Sequence, residues 1–151
     1  MSVAAVVLAA GLSTRFGAAN KLLAEVDGRP LVLRTLDAVL AGTTAPPLVV
    51  LGHQAERVTA RLAGLPVDLA TNPDYVAGQH GRVALGLARM ADADLTLLVP
   101  GALALLTAPA LAPLLSAART APPGRITVPM RGEERGNPVV LSRQARAAVL
   151  A

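Results

Sequence analysis

The sequence predicts an α/β fold in which a mostly parallel sheet carries helices on both faces. Short apolar runs alternate along the chain with longer amphipathic runs, and the first apolar run, residues 3–8, has no polar interruption. A continuous apolar run of this length is typical of a strand buried on both faces. The length of 151 residues fits one domain, so we expect residues 1–151 to form a single unit.

The remaining elements follow from the same alternation. Further apolar runs that end at Gly, Pro or polar residues predict strands at residues 48–51, 67–70, 95–99, 126–129 and 138–141. Apolar residues that recur every three or four positions predict helices at residues 30–41, 54–63, 82–91, 109–118 and from 143 to the chain end. We expect Pro30 in the first turn of its helix, and Thr107 and Ser142 as helix caps.

This order of elements also predicts where a ligand binds. In open sheets of parallel strands, ligands bind beyond the carboxyl ends of the strands. The segments that follow these ends are residues 9–21, 72–81 and 100–107. We therefore expect these three segments to share one rim of the sheet.

Composition excludes several classes of function. The net charge is +4, but the arginines are scattered and there is one Tyr, one Phe and no Trp, so nucleic-acid binding is not expected. No apolar run is long enough to span a membrane, and the N-terminus does not resemble a signal peptide. The absence of cysteine excludes disulfides and thiolate metal sites and suits a reducing compartment. We expect a cytoplasmic protein.

Lys21 is the only lysine, whereas thirteen basic residues are arginine. It ends a Gly- and Ser-containing segment that follows the first predicted strand and that also contains Arg15. Backbone N–H groups of such a segment approach an anion, and a compact ammonium neutralises it in a way that the planar guanidinium of Arg cannot copy. The segment therefore predicts a phosphate site. An ordinary loop with a surface lysine is the alternative.

Several segments in series resemble one family. Residues 8–17 read LAAGLSTRFG, residues 20–23 read NKLL and residues 28–31 read GRPL; further along, residues 72–75 read NPDY and residues 135–139 read RGNPV. This series resembles the MobA-like nucleotidyltransferases, which include molybdenum cofactor cytidylyltransferases and guanylyltransferases. The resemblance covers the whole chain. It implies a three-layer α/β/α Rossmann-like nucleotidyltransferase fold with a mostly parallel sheet.

The resemblance also implies a nucleotide site. In the family the first loop wraps the triphosphate of a nucleoside triphosphate. Carried over by position, Arg15 would hold the β- and γ-phosphates and Lys21 would neutralise the α-phosphate, which makes these two the expected catalytic residues. The expected nucleotide-binding residues are Leu8, Ala9, Ala10, Gly11, Ser13, Arg15, Lys21, Asn72, Gly78, Gln79 and His80. For His80 a solvated histidine is the alternative to a ribose or base contact.

The resemblance favours CTP over GTP, because Ala9-Ala10-Gly11 stands where the guanylyltransferases have Ala-Gly-Gly. It implies transfer of CMP to molybdopterin, with Arg135, Gly136 and Asn137 as acceptor-binding residues. Arg131 and Arg135 would meet the phosphate of the pterin. A salt-bridged surface turn is the alternative for this segment.

The chain departs from the family pattern at the metal site. The family strand that corresponds to residues 95–99 ends in Gly-Asp-Met-Pro, whose Asp binds Mg²⁺, whereas Ala102 stands at that position here. An alanine cannot ligate a hard cation that requires oxygen ligands. The carboxylates that would replace it are Asp74 first, then Glu133 and Glu134.

Two further departures accompany the missing Asp. Arg82 stands where the family usually has a Ser beside the nucleotide, and the family continues past the position of Ala151 with another acidic metal ligand. We therefore expect a C-terminally truncated family domain. The family resemblance implies Mg²⁺ as the cofactor, but this chain lacks the Asp that would bind it.

Three functions are consistent with these observations. The first is an impaired cytidylyltransferase. The second is a non-catalytic nucleotide-binding or maturation module that serves a molybdenum enzyme. The third is the same scaffold recruited as an NAD(P)H-dependent oxidoreductase, although the chain has no Gly-x-Gly-x-x-Gly motif with the acidic residue such a site needs.

Overall fold

The computed structural model describes residues 2–9, 21–52, 54–71, 86–88, 93–103 and 106–150. Within these ranges the strands are β1 (Val3–Ala9), β2 (Glu25–Val26), β3 (Arg29–Pro30), β4 (Leu48–Leu51), β5 (Asp68–Thr71), β6 (Leu95–Pro100), β7 (Ile126–Thr127), β8 (Met130–Arg131), β9 (Glu134–Arg135) and β10 (Val139–Ser142). The helices are α1 (Leu31–Gly42), α2 (Ala55–Leu62), α3 (Ala108–Thr120) and α4 (Arg143–Leu150). Residues 86–88 are also helical, and Lys21–Leu23 form a single 3₁₀ turn.

The central sheet has the strand order β5-β4-β1-β6-β10-β7. The strands β5, β4, β1 and β6 pair in parallel, and β10 runs antiparallel to both of its neighbours, β6 and β7. The prediction of a mostly parallel sheet is therefore confirmed. The carboxyl ends of the four parallel strands lie at one rim, and the antiparallel β10 begins there.

The sheet is the middle layer of three. Alternate residues of β1, such as Val3, Ala5 and Val7, belong to a buried cluster with apolar side chains of α1, α2 and α3. Val6 belongs to a second buried cluster with Leu87 and with Ala145 of α4. Because successive strand residues point to opposite faces, β1 is buried on both sides. This explains why its sequence is one unbroken apolar run.

Local capping interactions begin two helices where the sequence predicts. The Thr107 side chain accepts a hydrogen bond from the Ala110 N–H at 3.3 Å before α3. The Ser142 hydroxyl accepts one from the Ala145 N–H at 3.1 Å before α4. Both bonds satisfy amides that lack a partner within the helix. None of the helices in the described ranges is long and apolar enough to cross a bilayer.

Three predicted boundaries are wrong in detail. Pro30 lies in β3 immediately before α1 rather than in its first turn. The strand predicted at residues 126–129 ends at Thr127, because Pro129 has no N–H for a ladder and its carbonyl instead accepts a hydrogen bond from Gly136 at 2.8 Å. The strand predicted from residue 138 begins at Val139 for the same reason. Most of the helix predicted at residues 82–91 lies outside the described residues.

Candidate functional site

The ends of β1 and β6 form the centre of the candidate site. Leu8 lies opposite Pro100 in the parallel register, and Ala9 is the buried last residue of β1. The structure thus places the predicted residues Leu8 and Ala9 at the carboxyl rim. The other members of the first predicted loop and of the segment after β5 lie outside the described residues: Ala10, Gly11, Ser13, Arg15, Asn72, Asp74, Gly78, Gln79, His80 and Arg82.

Lys21 is the first residue of the 3₁₀ turn. The Lys21 carbonyl accepts a hydrogen bond from the Ala24 N–H at 3.1 Å, and the Ala24 carbonyl accepts one from the Leu31 N–H at 2.9 Å. Lys21 itself is exposed, whereas Leu22 is buried in the core. The turn therefore presents its lysine to solvent while its apolar neighbour fixes it to the protein.

Gly101 joins the Lys21 turn to the end of β1. Its N–H donates a hydrogen bond to the Leu8 carbonyl at 2.9 Å. A Cβ at this position would lie 2.7 Å from Cδ2 of Leu22 and 2.9 Å from the Leu8 oxygen. Only glycine lets the backbone at position 101 approach both the end of β1 and the Leu22 side chain so closely. The residues Leu8, Lys21 and Ala102, which the sequence places far apart, are thereby brought to one rim.

Ala102 lies between two fixed residues. On one side Gly101 is bonded to β1, and on the other the Leu103 N–H donates a hydrogen bond at 3.0 Å to the side chain of Thr35 in α1. Ala102 and Leu103 are both partly buried and pack against the core. The backbone at position 102 is thus held from both directions.

A two-stranded hairpin stabilises the region just after Lys21. Strands β2 and β3 pair antiparallel across Asp27 and Gly28, both of which have positive φ, the geometry of a tight hairpin turn. Arg29 makes two hydrogen bonds to the Asp37 carboxylate on α1, at 2.8 and 2.9 Å. This hydrogen bonding raises the pKa of Arg29 above its ordinary value, and the pair ties the hairpin to the helix.

The predicted acceptor-binding residues lie at the same end of the sheet. In the antiparallel register Val139 pairs with Leu98 and Ser142 with Leu95, so the chain enters β10 at the rim where β6 ends. Arg135 belongs to the exposed strand β9, and the Gly136 N–H donates to the Pro129 carbonyl at 2.8 Å. Asn137 follows, joined to Pro138 by a cis peptide bond.

The second hairpin carries two basic and two acidic side chains. Arg131 lies opposite Glu134 in the β8–β9 register. Among the described residues, however, no ion pair joins Arg131 or Arg135 to Glu133 or Glu134. All four residues are exposed. The arrangement leaves the two guanidinium groups accessible to an anion.

The described residues do not fit the Mg²⁺ site that the family resemblance implies. Ala102 offers only a methyl group at the expected position of a carboxylate, and in the described part of the chain no three His, Cys, Asp or Glu side chains come together. Hard divalent cations need several oxygen ligands. Glu133 and Glu134 are in the described part, and they do not form such a group; Asp74 is not.

Thr35 is the residue of this region that the sequence analysis missed. Its side chain is fully buried, and its oxygen contacts both α1 and the segment after β6. The available signal was a polar residue within the apolar stripe of a predicted helix. That signal does not reveal the partner, because Leu103 lies 68 positions away in the sequence.

Comparison with known proteins identifies the class. The family model for the MobA-like NTP transferase domain matches residues 5–151, and the chain belongs to this family. The bifunctional protein GlmU of Halorhodospira halophila is 37% identical over 115 residues, which make up 76% of this chain and 24% of that protein. The chain spans about a quarter of the length of the curated relatives it matches.

Solved structures share this fold. A nucleotidyl transferase from Methanothermobacter thermautotrophicus has a TM-score of 0.83 and 24% identity, covering 99% of this chain and 75% of that one. Rv0371c of Mycobacterium tuberculosis in complex with manganese has a TM-score of 0.82 and 22% identity, covering 99% of this chain and 76% of that one. The predicted nucleotidyltransferase fold is confirmed. A divalent metal is usual for enzymes of this class.

Proposed function

We propose that this domain binds a nucleoside triphosphate at the rim formed by β1 and β6, with CTP preferred over GTP. The observation that carries the proposal is the convergence of the β1 end, the Lys21 turn and the segment 101–103 through Gly101. Lys21 is exposed and adjoins Leu22, whose side chain meets Gly101, which supports a role for this lysine at the strand end where α/β sheets bind ligands. Arg15 and the backbone of residues 9–11 would complete the phosphate site.

Residues of the chain itself would act by position and charge. Lys21 would neutralise the α-phosphate, and Arg15 the β- and γ-phosphates, which favours departure of pyrophosphate when an acceptor oxygen attacks. The exposed Arg131 and Arg135 would hold an acceptor that bears a phosphate, which the family resemblance identifies as molybdopterin. Mg²⁺ would ordinarily add charge stabilisation to such a transfer, but the methyl group of Ala102 cannot ligate it.

The test of nucleotide binding is calorimetric titration of CTP and GTP without added metal. We expect Lys21→Ala to weaken CTP binding about 10- to 100-fold, because a charge-assisted phosphate contact is worth about 1.5–3 kcal/mol. Arg119→Ala is the matched control, since it removes one positive charge beside Asp94 and Leu95, at the opposite end of β6. If Lys21→Ala and Arg119→Ala bind CTP equally well, the phosphate role of Lys21 is wrong.

The second candidate function is a nucleotide-binding module without catalysis, and Ala102 is the observation that favours it. Loss of a Lewis-acid metal removes several kcal/mol of transition-state stabilisation. The variant Ala102→Asp distinguishes an impaired transferase from a non-catalytic binding module. A strong gain of metal-dependent cytidylyl transfer would indicate an impaired transferase, and no gain would indicate a binding module. Hydride transfer with NAD(P)H would instead support the oxidoreductase alternative.

A further inference from the structure

The hydroxyl of Thr35 connects two segments of the candidate site. Thr35 is completely buried in the second turn of α1. Its Oγ1 donates a hydrogen bond to the Leu31 carbonyl at 3.1 Å and accepts one from the Leu103 N–H at 3.0 Å. The first bond stays within the helix, as is common for threonine. The second bond joins α1 to the segment that follows β6. It therefore contributes to tertiary structure rather than to the helix itself.

The segment that Thr35 holds has a fixed point at each end. Gly101 is bonded to the Leu8 carbonyl and packs against Leu22 without room for a Cβ. Leu103 is bonded to Thr35, and its own carbonyl accepts a hydrogen bond from the Leu106 N–H at 3.1 Å. Removing the hydroxyl releases only the Leu103 end and leaves a partly buried N–H without a partner, which is costly.

We propose that Thr35 is a positioning residue of the nucleotide site. It sets the place of residues 101–103 against the Lys21 turn, and so the shape of the rim that receives the nucleotide. This inference rests on the proposed nucleotide-binding function. Thr35 does not touch the ligand: it acts through Leu103 and Gly101, the latter being in contact with Leu22 next to Lys21.

The test compares Thr35→Val, which keeps the shape and removes the hydroxyl, with Thr35→Ser, which keeps the hydroxyl. We expect Thr35→Val to raise the Kd for CTP about three- to tenfold, the size of one buried hydrogen bond. Hydrogen exchange at the Leu103 amide should accelerate in the same variant. Thr35→Ser should leave both quantities near those of the unaltered chain. Thr35→Ala provides a second hydroxyl-free variant if Thr35→Val does not fold.

A general loss of stability must be separated from positioning. Val39→Ala should destabilise the same helix, because Val39 is fully buried in α1. The apolar side chain of Val39 cannot form a hydrogen bond to residues 101–103, so its truncation leaves the Thr35–Leu103 bond intact. At a temperature where all variants are folded, Val39→Ala should bind CTP normally. Equal weakening by Val39→Ala and Thr35→Val would contradict the proposal, because the effect would then follow stability alone.

The remaining outcomes separate a failure of the positioning role of Thr35 from a failure of the proposed nucleotide-binding function. If the unaltered chain binds CTP and Thr35→Val binds it equally well, the positioning role is wrong and the proposed function stands. If the unaltered chain binds neither CTP nor GTP, the proposed function is wrong, and the positioning role falls with it. Weakened binding in Thr35→Val with restored binding in Thr35→Ser supports both.

Discussion

At the residue scale, Gly101 shows how closely the candidate site is packed. A Cβ at Gly101 would lie 2.7 Å from Cδ2 of Leu22 and 2.9 Å from the Leu8 carbonyl oxygen, so a methyl group would overfill this space. Overpacking forces backbone or side-chain shifts, because protein interiors are close-packed. The close approach of the Lys21 turn to β1 therefore depends on one glycine.

Replacing Gly101→Ala should destabilise the fold by about 1–3 kcal/mol, the usual cost of overpacking a well-packed site. Urea unfolding followed by circular dichroism measures the change. Gly42→Ala is the control, because a Cβ at Gly42 would meet Leu111 and Leu115 at an ordinary 3.5 Å. That control should leave stability unchanged or raise it, because alanine has a higher helix propensity than glycine. A stable Gly101→Ala variant would show that the rim is looser than the structure indicates.

At the element scale, Asp94 ties three elements together at the end of the sheet opposite the site. Its carboxylate accepts hydrogen bonds from the Ser2 N–H at 2.8 Å and the Ser2 hydroxyl at 3.1 Å, and it pairs with Arg143 of α4 at 3.2 Å. The bond from the Ser2 backbone is the largest of the effects that lower the pKa of Asp94 below its ordinary value of 3.8. The carboxylate thus links the starts of β1, β6 and α4.

A lowered pKa makes the contribution of Asp94 to stability depend on pH. The ionised group stabilises the fold above its unfolded pKa of 3.8, and this stabilisation is lost as the pH falls through the folded pKa. We therefore expect Asp94→Asn to lower the Tm at neutral pH and to have little effect at strongly acidic pH. Thermal unfolding of both chains across the acid range measures this. A Tm difference that persists unchanged into strong acid would contradict the role of the charge.

The main strands and helices were predictable, whereas the hairpins were not. Buried parallel strands leave unbroken apolar runs, so β1, β4 and β6 are visible in the sequence. The strands β2 and β3 are only two residues each, of which only Pro30 is buried, and they leave no such run. Asp27-Gly28, a typical hairpin dipeptide, is the local signal of the turn that joins them.

The candidate site was predictable only in part, for a physical reason. Lys21 and Ala102 stand out as sequence positions, because one is the sole lysine and the other replaces an expected carboxylate. The bond from Leu103 to Thr35 joins residues 68 positions apart. Such a contact is created by the packing of α1 against the sheet and has no local pattern. The antiparallel direction of β10, which brings Asn137 to the rim, depends on packing in the same way.

At the scale of the whole molecule, the domain keeps the framework of a nucleotidyltransferase, and Ala102 stands where the family resemblance predicts a metal-binding Asp. The structure has the three layers and a mostly parallel central sheet. Hydrogen bonds at Gly101 and Leu103 fix the segment 101–103. The described residues supply no group of metal-binding side chains. Under the proposed function, phosphate binding by Lys21 and Arg15 would therefore not depend on a metal ion held at position 102.

The most direct test of this account is the effect of Mg²⁺ on the Kd for CTP, measured by calorimetry for the unaltered chain and for Ala102→Asp. The account predicts that the unaltered chain binds CTP with an affinity that Mg²⁺ changes by less than about twofold. In Ala102→Asp, a carboxylate at a position already held by Gly101 and Leu103 should make Mg²⁺ strengthen CTP binding by about tenfold. Equal strengthening by Mg²⁺ in both chains would contradict the account, because a metal site would then exist without residue 102.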